Sequence, residues 1–503
     1  MTSWHLNELL ELDASLCGSN PLISGLAMDS RQVEPGALFL ACRGTESHGL
    51  AHLEQALQRG AVALAWEPSP GVEAPQADVP CVAVDNLSRR VGLIASRFFG
   101  APSRALFTVG VTGTDGKTSC THLFAQAAAR LQRRCGLMGT VGVGFLDDLA
   151  KATHTTPDPV QLQAGLARLA AEGADALAME VSSHALDQGR IIGVDLDVAV
   201  FTNLSRDHLD YHGDLDNYAR AKRRLLESDG LKALIINVDD DYGRQWAREL
   251  ADQRPVVAYA VDAQPEQADW LRAENIRKQP QGLSFDVVTA HERHAFECGL
   301  IGHFNIYNLL AVAAAWRAAG LELAQVLAAL REVKTVPGRI EAFRAEGKPL
   351  AVVDYAHTPG ALIQVLRALH QHRKPGGRIF CVFGCGGDRD RGKRPQMAAA
   401  AAAHADVLIL TDDNPRTESP QDIIADMLEG LSADQAYSII HDRALAIDHA
   451  LGQAGPDDLV LIAGKGHEDY QQIGLERRPF SDREYVARRL HSASAQEGWA
   501  CNA

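Results

Sequence analysis

The strongest chemical signal in the chain is a glycine-rich loop at residues 112–118, which reads TGTDGKT. It follows an apolar run and precedes a helical pattern, which is the context that a phosphate-binding loop requires. Backbone N–H groups and the helix N-terminus would hold the phosphates, Lys117 would pair with the γ-phosphate and Thr118 would face Mg²⁺. Val111 stands where the usual pattern has a glycine, so the loop is a variant. The flanking pattern favours this interpretation over a tight turn beside a solvated lysine.

A second group of residues could hold the metal ion that accompanies a nucleotide. Glu180 ends an apolar run beyond the loop, a position that suits a magnesium ligand, although a surface acid would have the same pattern. His208 lies in the polar stretch 202–213, TNLSRDHLDYHG, where a lone histidine is more often structural than a ligand. The basic stretch 220–224, RAKRR, contains Lys222 and either faces solvent or meets phosphates.

Four polar loops follow four apolar runs in the last third of the chain. They are DYAHTP at 354–359, GCGGDRDR at 384–391, DNPR at 413–416 and GKGHE at 464–468. In open α/β sheets ligands bind at the carboxyl ends of the strands, and glycines allow a ligand to approach the backbone closely. Four such loops favour one shared site over four independent turns.

The elements that must position these residues are short apolar runs separated by helical patterns. In the first hundred residues the runs at 37–42, 61–66 and 81–85 predict buried strands. Later runs predict strands at 105–111, 174–180, 196–202, 233–237, 350–354, 378–383, 406–411 and 459–463. Strands that alternate with helices indicate a mainly parallel sheet covered on both faces. The expected fold is α/β with three domains, including a central mainly parallel P-loop-type sheet and a C-terminal Rossmann-like domain.

Length, breaks and composition set the outer limits. A chain of 503 residues suits three domains, and turn-rich breaks at 100–103 and 336–339 predict domains 1–100, 101–335 and 336–503. Lys plus Arg is 49 and Asp plus Glu is 64, giving a net charge of −15, which argues against nucleic acid as a partner.

We also expect no membrane partner, because the apolar stretches are too short to span a bilayer and the N-terminus lacks a signal-peptide pattern. Nine cysteines without a C-x-x-C pair predict free thiols in a cytoplasmic protein.

Taken in order, these motifs resemble the Mur ligase superfamily, the ATP-dependent amide ligases of cell-wall peptide assembly. The resemblance covers roughly residues 28–468. It rests on the phosphate loop, Glu180, NLSRDHLD at 203–210, HFNIYN at 303–308, PGR at 337–339 and DYAH at 354–357. DSR at 29–31, Thr155, Thr156, Ser182 and DNPR at 413–416 are similar to the branch that adds meso-2,6-diaminopimelate to a UDP-linked muramoyl dipeptide.

The resemblance implies a role for each matching residue. ATP would contact Gly113, Thr114, Asp115, Gly116, Lys117, Thr118, Ser119, Asn305, Arg339 and Asp354 in the central domain and at its junction with the third. The UDP-muramoyl dipeptide would contact Met28, Ser30, Thr45, Glu46 and Ser47 in the first domain, and Thr155, Thr156, Ser182, Gln188 and Arg190 in the central one. The incoming diaminopimelate would contact Arg389, Asp413, Asn414, Pro415, Arg416, Gly464 and Glu468 in the C-terminal domain.

The catalytic set implied by the resemblance is Lys117, Glu180, His208 and Lys222. Mg²⁺ would be held by Thr118, Glu180, His208 and Lys222 as a carbamate. Two positions depart from the family. It commonly has asparagine where Asp115 stands, and the extra negative charge is expected to weaken phosphate affinity. It often has a different residue at Thr45, on the uracil side of the substrate.

The implied reaction makes an acyl phosphate from ATP and a carboxylate, which the amine of the amino acid then attacks. Closure of the third domain is expected to assemble the site and exclude water. We expect a monomer with small-molecule substrates.

The alternatives to this function are a lysine-adding ligase, a folylpolyglutamate synthetase-like ligase and a non-enzymatic nucleotide switch. The segments at 29–31 and 413–416 argue against the folate branch, and no Asn-Lys-x-Asp guanine motif supports a GTP switch.

Overall fold

The computed structural model describes residues 3–12, 19–44, 47–152, 154–205, 207–279 and 282–491. The chain forms two compact units, which are described separately. The first unit comprises Met1–Arg272 and Leu310–Ala329, and the second comprises Ala273–Leu309 and Leu330–Ala503. No helix among the described residues is long and apolar enough to cross a membrane.

The N-terminal part of the first unit is a small parallel sheet. Its elements are β1 Trp4–His5, α1 Leu6–Leu10, β2 Leu22–Ile23, β3 Gly25–Ala27, β4 Ala37–Ala41, α2 Leu53–Gln58, β5 Ala63–Trp66, β6 Cys81–Ala83 and α3 Leu87–Phe98. Strands β3, β4, β5 and β6 pair in that order, all parallel. The strands predicted in this region are therefore confirmed. Helix α3 places Leu87, Val91, Ile94 and Phe98 on one buried face, at the three- and four-residue spacing of an amphipathic helix.

The central part of the first unit carries the larger sheet. Its elements are β7 Phe107–Thr112, α4 Lys117–Arg130, β8 Cys135–Met138, β9 Val143–Phe145, β10 Asp148–Ala150, α5 Pro159–Ala171, β11 Ala176–Glu180, α6 Ser183–Asp187, β12 Val198–Phe201, α7 Leu209–His212, α8 Leu215–Leu226, β13 Ala233–Asn237, α9 Asp241–Leu250 and β14 Val256–Ala260. The strand order is β10-β9-β8-β11-β7-β12-β13-β14, and the first residues of β15 (Asp269–Gln279) pair in parallel with β14. Apart from β9 and β10 these strands are parallel, which confirms the predicted central sheet.

The rest of the chain contains a hairpin, two helices and a second α/β sheet. In chain order the elements are β16 Gly282–Val288, β17 Arg293–Cys298, α10 Phe304–Ala318, α11 Leu323–Leu330, β18 Glu341–Phe343, β19 Leu350–Asp354, α12 Pro359–His372, β20 Ile379–Phe383, α13 Lys393–His404, β21 Val407–Leu410, α14 Pro420–Leu428, β22 Tyr437–Ile439, α15 Arg443–Gln453, β23 Leu459–Ala463, β24 Tyr470–Ile473, β25 Glu476–Pro479 and α16 Asp482–His491. The sheet order is β18-β19-β23-β20-β21-β22, with only β18 antiparallel among the described strands.

This strand order decides where the four polar loops of the second unit lie. Strands β19, β23, β20 and β21 are neighbours and run parallel, so their carboxyl ends meet at one edge of the sheet. All four loops leave from that edge. The strands are almost wholly apolar because helices cover both faces, and polar residues begin where the strands end.

Candidate active site

The phosphate loop is built by two glycines in the left-handed region. Gly113 has φ +151° and Gly116 has φ +85°, and α4 begins immediately afterwards at Lys117. A Cβ atom at Gly113 would collide with the hydroxyl of Thr202, so a larger residue does not fit there. Gly116 turns the chain directly into the first helical turn. The local structure is that of a loop-to-helix anion site.

A polar segment after β12 holds this loop in shape. Thr202 donates its hydroxyl proton to the carbonyl of Asp115 at 2.6 Å, and Asp115 donates its backbone N–H to Oδ1 of Asn203 at 3.0 Å. The backbone N–H of Thr114 donates to the carbonyl of Asn203 at 2.8 Å. The side chain of Asp115 is exposed. The departure from asparagine therefore alters the charge at the rim of the loop, while the backbone bonds maintain the loop itself.

Two lysines reach the same carbonyl of the phosphate loop. Lys117 Nζ donates to the carbonyls of Gly113 at 2.9 Å and Thr114 at 2.8 Å. Lys222 Nζ, from α8, donates to the Gly113 carbonyl at 2.6 Å and lies 4.5 Å from the centre of the Tyr218 ring. The Lys222 side chain is 1% exposed. Burial, with the nearby charge of Lys117, holds the pKa of Lys222 well below its ordinary value.

The carboxylate of Glu180 joins the phosphate loop to the next sheet loop. Thr118 donates its hydroxyl to Glu180 Oε2 at 2.8 Å. Thr140 donates its backbone N–H to Oε1 at 2.7 Å and its hydroxyl to Oε2 at 3.3 Å. The hydroxyls of Thr140 and Thr155 are also 3.0 Å apart. A hydroxyl and a carboxylate at this separation supply oxygen donors of the kind that Mg²⁺ prefers.

The residues predicted to hold the muramoyl dipeptide continue directly from Glu180. Thr156 donates its hydroxyl to the main-chain carbonyl of Glu180 at 2.9 Å and accepts the backbone N–H of Ser182 at 3.1 Å. Arg190 donates to the Thr156 carbonyl at 3.0 Å and to Gln188 Oε1 at 2.8 Å. The structure therefore brings these four residues and Thr155 into one hydrogen-bonded group beside the predicted metal carboxylate.

His208 lies in a different local environment from Glu180. It is the residue before α7, has φ +52°, and its Nε2 lies 3.4 Å from Oδ2 of Asp207. Its ring lies 4.9 Å from the ring of His184 and 6.1 Å from that of Tyr218. These contacts place His208 beside an aromatic and histidine cluster, while Thr118 and Glu180 bond each other. Among the described residues, no group of three or more His, Cys, Asp or Glu side chains is arranged to hold a metal ion.

The predicted UDP-side residues lie in two loops of the N-terminal sheet. Met28 follows β3 and packs against the core, and the Ser30 side chain is buried in the short helical turn after it. Ser47 is exposed in the loop after β4. Thr45 and Glu46 lie outside the described residues. The departure from the family pattern at Thr45 therefore stays an expectation.

A buried acid that the sequence patterns do not single out organises these loops. Glu67 is 7% exposed, and its Oε2 accepts the backbone N–H groups of Arg43 and Ser88, each at 3.1 Å. Its carbonyl is 2.9 Å from Nε2 of His48. The acid follows a strand of four apolar residues, and only the tertiary contacts reveal its role.

In the second unit, the buried Asp354 and the half-buried Arg339 are candidate nucleotide contacts. Asp354 ends β19 and accepts the backbone N–H groups of Ile340 and Ala356, each at 2.7 Å. Burial raises the pKa of Asp354, and the charge of Arg339 opposes that shift. The Arg339 guanidinium lies 4.9 Å from the centre of the Tyr355 ring, and its Nε has no hydrogen-bond partner within the described structure.

Asn305 is also buried in the second unit. It donates its amide to the Ile301 carbonyl at 2.8 Å and accepts from the Asn308 amide at 2.9 Å. The structure thus gives Asn305 a role in holding the start of α10. Contact with a nucleotide stays a prediction.

The loops predicted to bind the amino acid meet at the carboxyl edge of the second sheet. Asp413, Asn414 and Pro415 are buried, and Asn414 donates its amide to Glu468 Oε2 at 2.8 Å. Gly464 has φ +117°, and a Cβ atom there would lie 2.5 Å from Asp413 Oδ2. A larger residue at Gly464 would therefore strain the backbone and crowd that carboxylate.

The two candidate arginines differ in their exposure and in the contacts that hold them. Arg416 is half-buried, has φ +51°, and donates Nη1 to the Gly387 carbonyl at 2.6 Å. Its backbone N–H donates to the carbonyl of Gln472 in the hairpin that β24 and β25 form. Arg389 is exposed and donates to the carbonyl of its neighbour Asp388 at 3.0 Å. Arg416 is thus held from two sides, whereas Arg389 is held by the adjacent residue.

Several well-buried charges in the second unit were not predicted from the sequence. Lys465 is wholly buried between the two glycines of the GKGHE loop. Arg443 and Asp482 are also wholly buried and form a bidentate ion pair, with N–O distances of 2.8 and 2.7 Å. Arg443 also donates to the carbonyl of Ala463, immediately before Gly464, at 2.9 Å. Lysine and arginine are rarely buried, so no local pattern marks them as interior residues.

Comparison with known proteins gives the same family along the chain. Residues 22–99 match the description "Mur ligase family, catalytic domain", residues 111–316 match "Mur ligase middle domain", and residues 338–466 match "Mur ligase, glutamate ligase domain". Together these matches cover most of the sequence.

Curated relatives are similar over nearly their full length. A protein of Alkalilimnicola ehrlichii named UDP-N-acetylmuramoyl-L-alanyl-D-glutamate–2,6-diaminopimelate ligase is 49% identical over 477 residues, covering 93% of this chain and 95% of the relative. Its namesake from Pseudomonas aeruginosa is 47% identical over 469 residues, with the same two coverages. The Coxiella burnetii namesake is 44% identical over 491 residues, covering 97% of this chain and all of the relative.

Solved structures agree with the sequence relatives. A structure of a ligase with the same name superposes with a TM-score of 0.74 at 38% identity, covering 99% of this chain and all of that one. A Mycobacterium tuberculosis folylpolyglutamate synthase complexed with ADP superposes with a TM-score of 0.60 at 18% identity, covering 75% of this chain and 92% of that one. At that identity the second likeness concerns the fold alone.

Proposed function

The chain belongs to the Mur ligase family, and we propose that it joins meso-2,6-diaminopimelate to UDP-N-acetylmuramoyl-L-alanyl-D-glutamate at the expense of ATP. One observation carries the proposal. The phosphate loop, the Glu180 carboxylate and the Thr155–Thr156 segment form one chain of hydrogen bonds. The residues proposed for phosphoryl transfer are thereby hydrogen-bonded to Thr155 and Thr156, the residues proposed to bind the carboxylate substrate. The product is a peptidoglycan precursor.

The chemistry proceeds in two steps that the site can support. An oxygen of the substrate carboxylate attacks the γ-phosphorus of ATP, ADP leaves, and an acyl phosphate forms. The neutral amine of diaminopimelate then attacks the acyl carbon, losing a proton, and inorganic phosphate leaves as the amide bond forms. The protein contributes positioning and charge neutralisation.

Lys117 and the backbone of α4 are the proposed phosphate ligands. In the structure Lys117 bonds two carbonyls of its own loop, which holds its ammonium at the mouth of the helix N-terminus. There it can exchange those carbonyls for phosphate oxygens. Ser119 lies in the same first helical turn. The adjoining backbone N–H groups complete an anion site.

The Thr118 and Glu180 oxygens are the proposed magnesium ligands. Their donor types fit a hard cation, and their separation of 2.8 Å places both at one point beside the loop. When bound, Mg²⁺ supplies neutralisation of the phosphate charge during transfer. His208 remains in the proposed set through the family resemblance alone.

Lys222 is proposed to act as a carbamate. Its burial favours the neutral amine, which adds CO₂ through a new N–C bond and releases one proton. The neutral amine beside Lys117 then becomes an anion. That change places an opposite charge beside Lys117 and provides another oxygen donor near the phosphate loop.

We propose that the three functions divide among three domains. Residues 1–100 bind the UDP portion, residues 101–335 bind ATP and carry out phosphoryl transfer, and residues 336–503 bind the amino acid. Separate sheets in these three stretches support the division. So do the extents of the three family matches.

An acceptor panel tests the proposal against its alternatives. Purified enzyme is given ATP, Mg²⁺ and the UDP-muramoyl dipeptide with meso-diaminopimelate, lysine, glutamate or no amino acid, and both phosphate release and product mass are measured. We expect turnover that requires the dipeptide and diaminopimelate together. A preference for lysine would support the lysine-adding alternative, and nucleotide turnover without either substrate would support a switch. Activity with a folate and glutamate would support the folate branch.

A further inference from the structure

Lys465 is a lysine whose side chain is wholly buried within the second unit. Its side chain is 0% exposed, and it is the second residue after β23. Nζ donates to Oδ1 of Asn414 at 3.1 Å and to Oε2 of Glu468 at 3.2 Å, and it lies 5.5 Å from the centre of the Tyr470 ring. A buried ammonium is tolerated only when such partners compensate it. The ammonium group of Lys465 therefore binds side chains of the protein itself, Asn414 and Glu468.

The contacts of Lys465 fix the orientation of the Asn414 amide. Oδ1 of Asn414 accepts from Lys465 and also from the backbone N–H of Gln472 at 2.8 Å. Nδ2 donates to Glu468 Oε2 at 2.8 Å. A flipped amide would point its N–H groups at two other donors and its oxygen at a carboxylate. The ammonium thus gives the amide one stable direction.

The same network holds one oxygen of Glu468 and leaves the other to a ligand. Oε2 accepts from both Lys465 and Asn414, which lie beneath it with exposures of 0% and 2%. The Glu468 side chain is 18% exposed, so it is the member of the trio that reaches the surface. Because two donors hold Oε2, the plane of the carboxylate is restricted, and Oε1 is the oxygen left for a ligand.

Charge balance points the same way. Asp413 flanks this trio across Gly464, because a Cβ atom at Gly464 would lie 2.5 Å from Asp413 Oδ2. The guanidinium of Arg443 also lies near Gly464, but it is paired with Asp482. The two carboxylates of Asp413 and Glu468 and the one ammonium of Lys465 then leave a single net negative charge. One incoming ammonium group neutralises that charge. Without Lys465 the same site would carry two negative charges around one ligand ammonium.

We propose that Lys465 is a positioning residue for the acceptor amino acid, acting through Glu468 and Asn414 on the ammonium group of the ligand. This inference rests on the proposed function, because it assumes that an amino acid binds at these loops. Lys465 itself does not touch the ligand. Its role is to fix the plane of the Glu468 carboxylate and to match the charge of the site to one ammonium.

The test measures KM separately for each substrate in the full-length enzyme. Lys465→Met keeps the aliphatic stem and removes the ammonium. We expect KM for diaminopimelate to rise about tenfold or more, since charged hydrogen bonds are lost, while kcat and the KM for ATP stay within about threefold. Lys348→Met, at an exposed lysine, is the matched control and should leave all constants unchanged. A merely structural role would instead change all the KM values and kcat together.

A double-substitution cycle shows whether Lys465 acts through Glu468. Glu468→Gln should itself raise KM for the amino acid. In that background Lys465→Met should add less than about threefold, because the carboxylate it positions is gone. Independent, multiplicative effects would overturn the proposal. If Lys465→Met does not fold, Asn414→Asp serves instead. That substitution sets a carboxylate against Glu468 Oε2 and should raise the same KM, and an unchanged KM would overturn the proposal.

The choice of acceptor separates this proposal from the proposed function. If the wild-type enzyme uses lysine and not diaminopimelate, the proposed function is wrong, and the series is run with lysine, which also carries an ammonium beside a carboxylate. A selective rise in the KM for lysine would then support the role of Lys465. If the wild type uses no amino acid, both proposals fail.

Discussion

Lys222 Nζ lies 2.6 Å from the carbonyl oxygen of Gly113, the same atom that Lys117 Nζ bonds at 2.9 Å. Two lysine side-chain nitrogens thus converge on one acceptor, and that of Lys222 is almost fully buried. Burial and the charge of Lys117 lower the pKa of Lys222, which favours its neutral form. An amine whose neutral form is favoured reacts with CO₂ more readily than an ammonium group, which has no free electron pair to attack with.

The first prediction concerns this modification. Lys222→Ala should lose activity by about 100-fold or more, since an anionic oxygen donor beside the phosphates is removed. Lys222→Glu should restore part of the loss. Lys232→Ala, at a lysine 65% exposed, is the matched control and should keep full activity. Full activity in Lys222→Ala would contradict the assignment.

The modification itself can be observed by ¹³C NMR in ¹³C-bicarbonate. Wild-type enzyme should show a carbamate signal that Lys222→Ala lacks. As pH falls, the amine is protonated and CO₂ is released. Because the pKa of Lys222 is lowered, this loss should occur at lower pH than for an exposed lysine. A wild type without the signal at neutral pH would rule out the carbamate.

The second prediction concerns the phosphate loop. Lys117→Ala should reduce acyl-phosphate formation by about 100- to 1,000-fold, because its ammonium neutralises charge on the transferring phosphoryl group. The melting temperature should change little, since the loop carbonyls that Lys117 bonds can turn to water. Single-turnover phosphate release and thermal melting check both parts. Unchanged turnover in a folded variant would mean that the loop is only a turn.

The third prediction concerns the metal carboxylate. Glu180→Gln keeps the shape but removes the charge that faces Thr118 at 2.8 Å. The Mg²⁺ concentration needed for half-maximal activity should rise about 10- to 100-fold, with the maximal rate also reduced. The measurement is a Mg²⁺ titration of turnover, with Glu266→Gln, at an exposed acid, as the control. An unchanged titration curve would place the metal elsewhere.

The sequence predicted the structure correctly where the conformation of a segment depends on residues close to it in the chain. The conformation of the loop at 112–118 follows from its own residues, because Gly113 and Gly116 adopt the left-handed angles and α4 begins directly after them. The apolar strands of the second sheet were also predictable from their own residues. Because these strands are parallel neighbours, the four polar loops at their ends lie at one edge of the sheet, as predicted. The predicted strand bounds differed from the observed ones by at most two residues.

Tertiary contacts decided the rest. In the GKGHE loop the two ends, Gly464 and Glu468, were predicted as ligand contacts, while Lys465 between them was not considered, because lysines usually face solvent. The hairpin of β16 and β17 was also not predicted. Its residues alternate charged and apolar types around a turn, and the pairing of Phe285 with Phe296 across the strands becomes apparent only in the folded chain.

The fourth prediction concerns stability of the second unit. Arg443 and Asp482 have no exposed side-chain surface and form a bidentate pair that also reaches the Ala463 carbonyl. Arg443→Met leaves the Asp482 carboxylate buried and unpaired, which should cost about 3–5 kcal/mol of unfolding free energy. Replacing both residues by leucine should cost much less. Denaturant unfolding of the two variants checks this difference, and equal losses would contradict it.

The last prediction is that meso-diaminopimelate is the acceptor and lysine is not. The two amino acids differ mainly by one carboxylate at the far end of the side chain. Arg416 offers a planar fork of donors that suits that group. Its guanidinium is already aimed by the Gly387 carbonyl at 2.6 Å, and its backbone is tied to the hairpin of β24 and β25. Pro415 limits movement of the loop further.

Because Arg416 is half-buried, solvent screens part of its charge, and the preference for diaminopimelate should be about tenfold or more in kcat/KM. Arg416→Ala should raise KM for diaminopimelate strongly while the KM for ATP stays constant, and lysine should become a relatively better acceptor. Arg391→Ala, at an exposed arginine that pairs with Asp426, is the matched control. If Arg416 only braced its loop, the substitution would lower thermal stability and leave the ratio between the two acceptors unchanged.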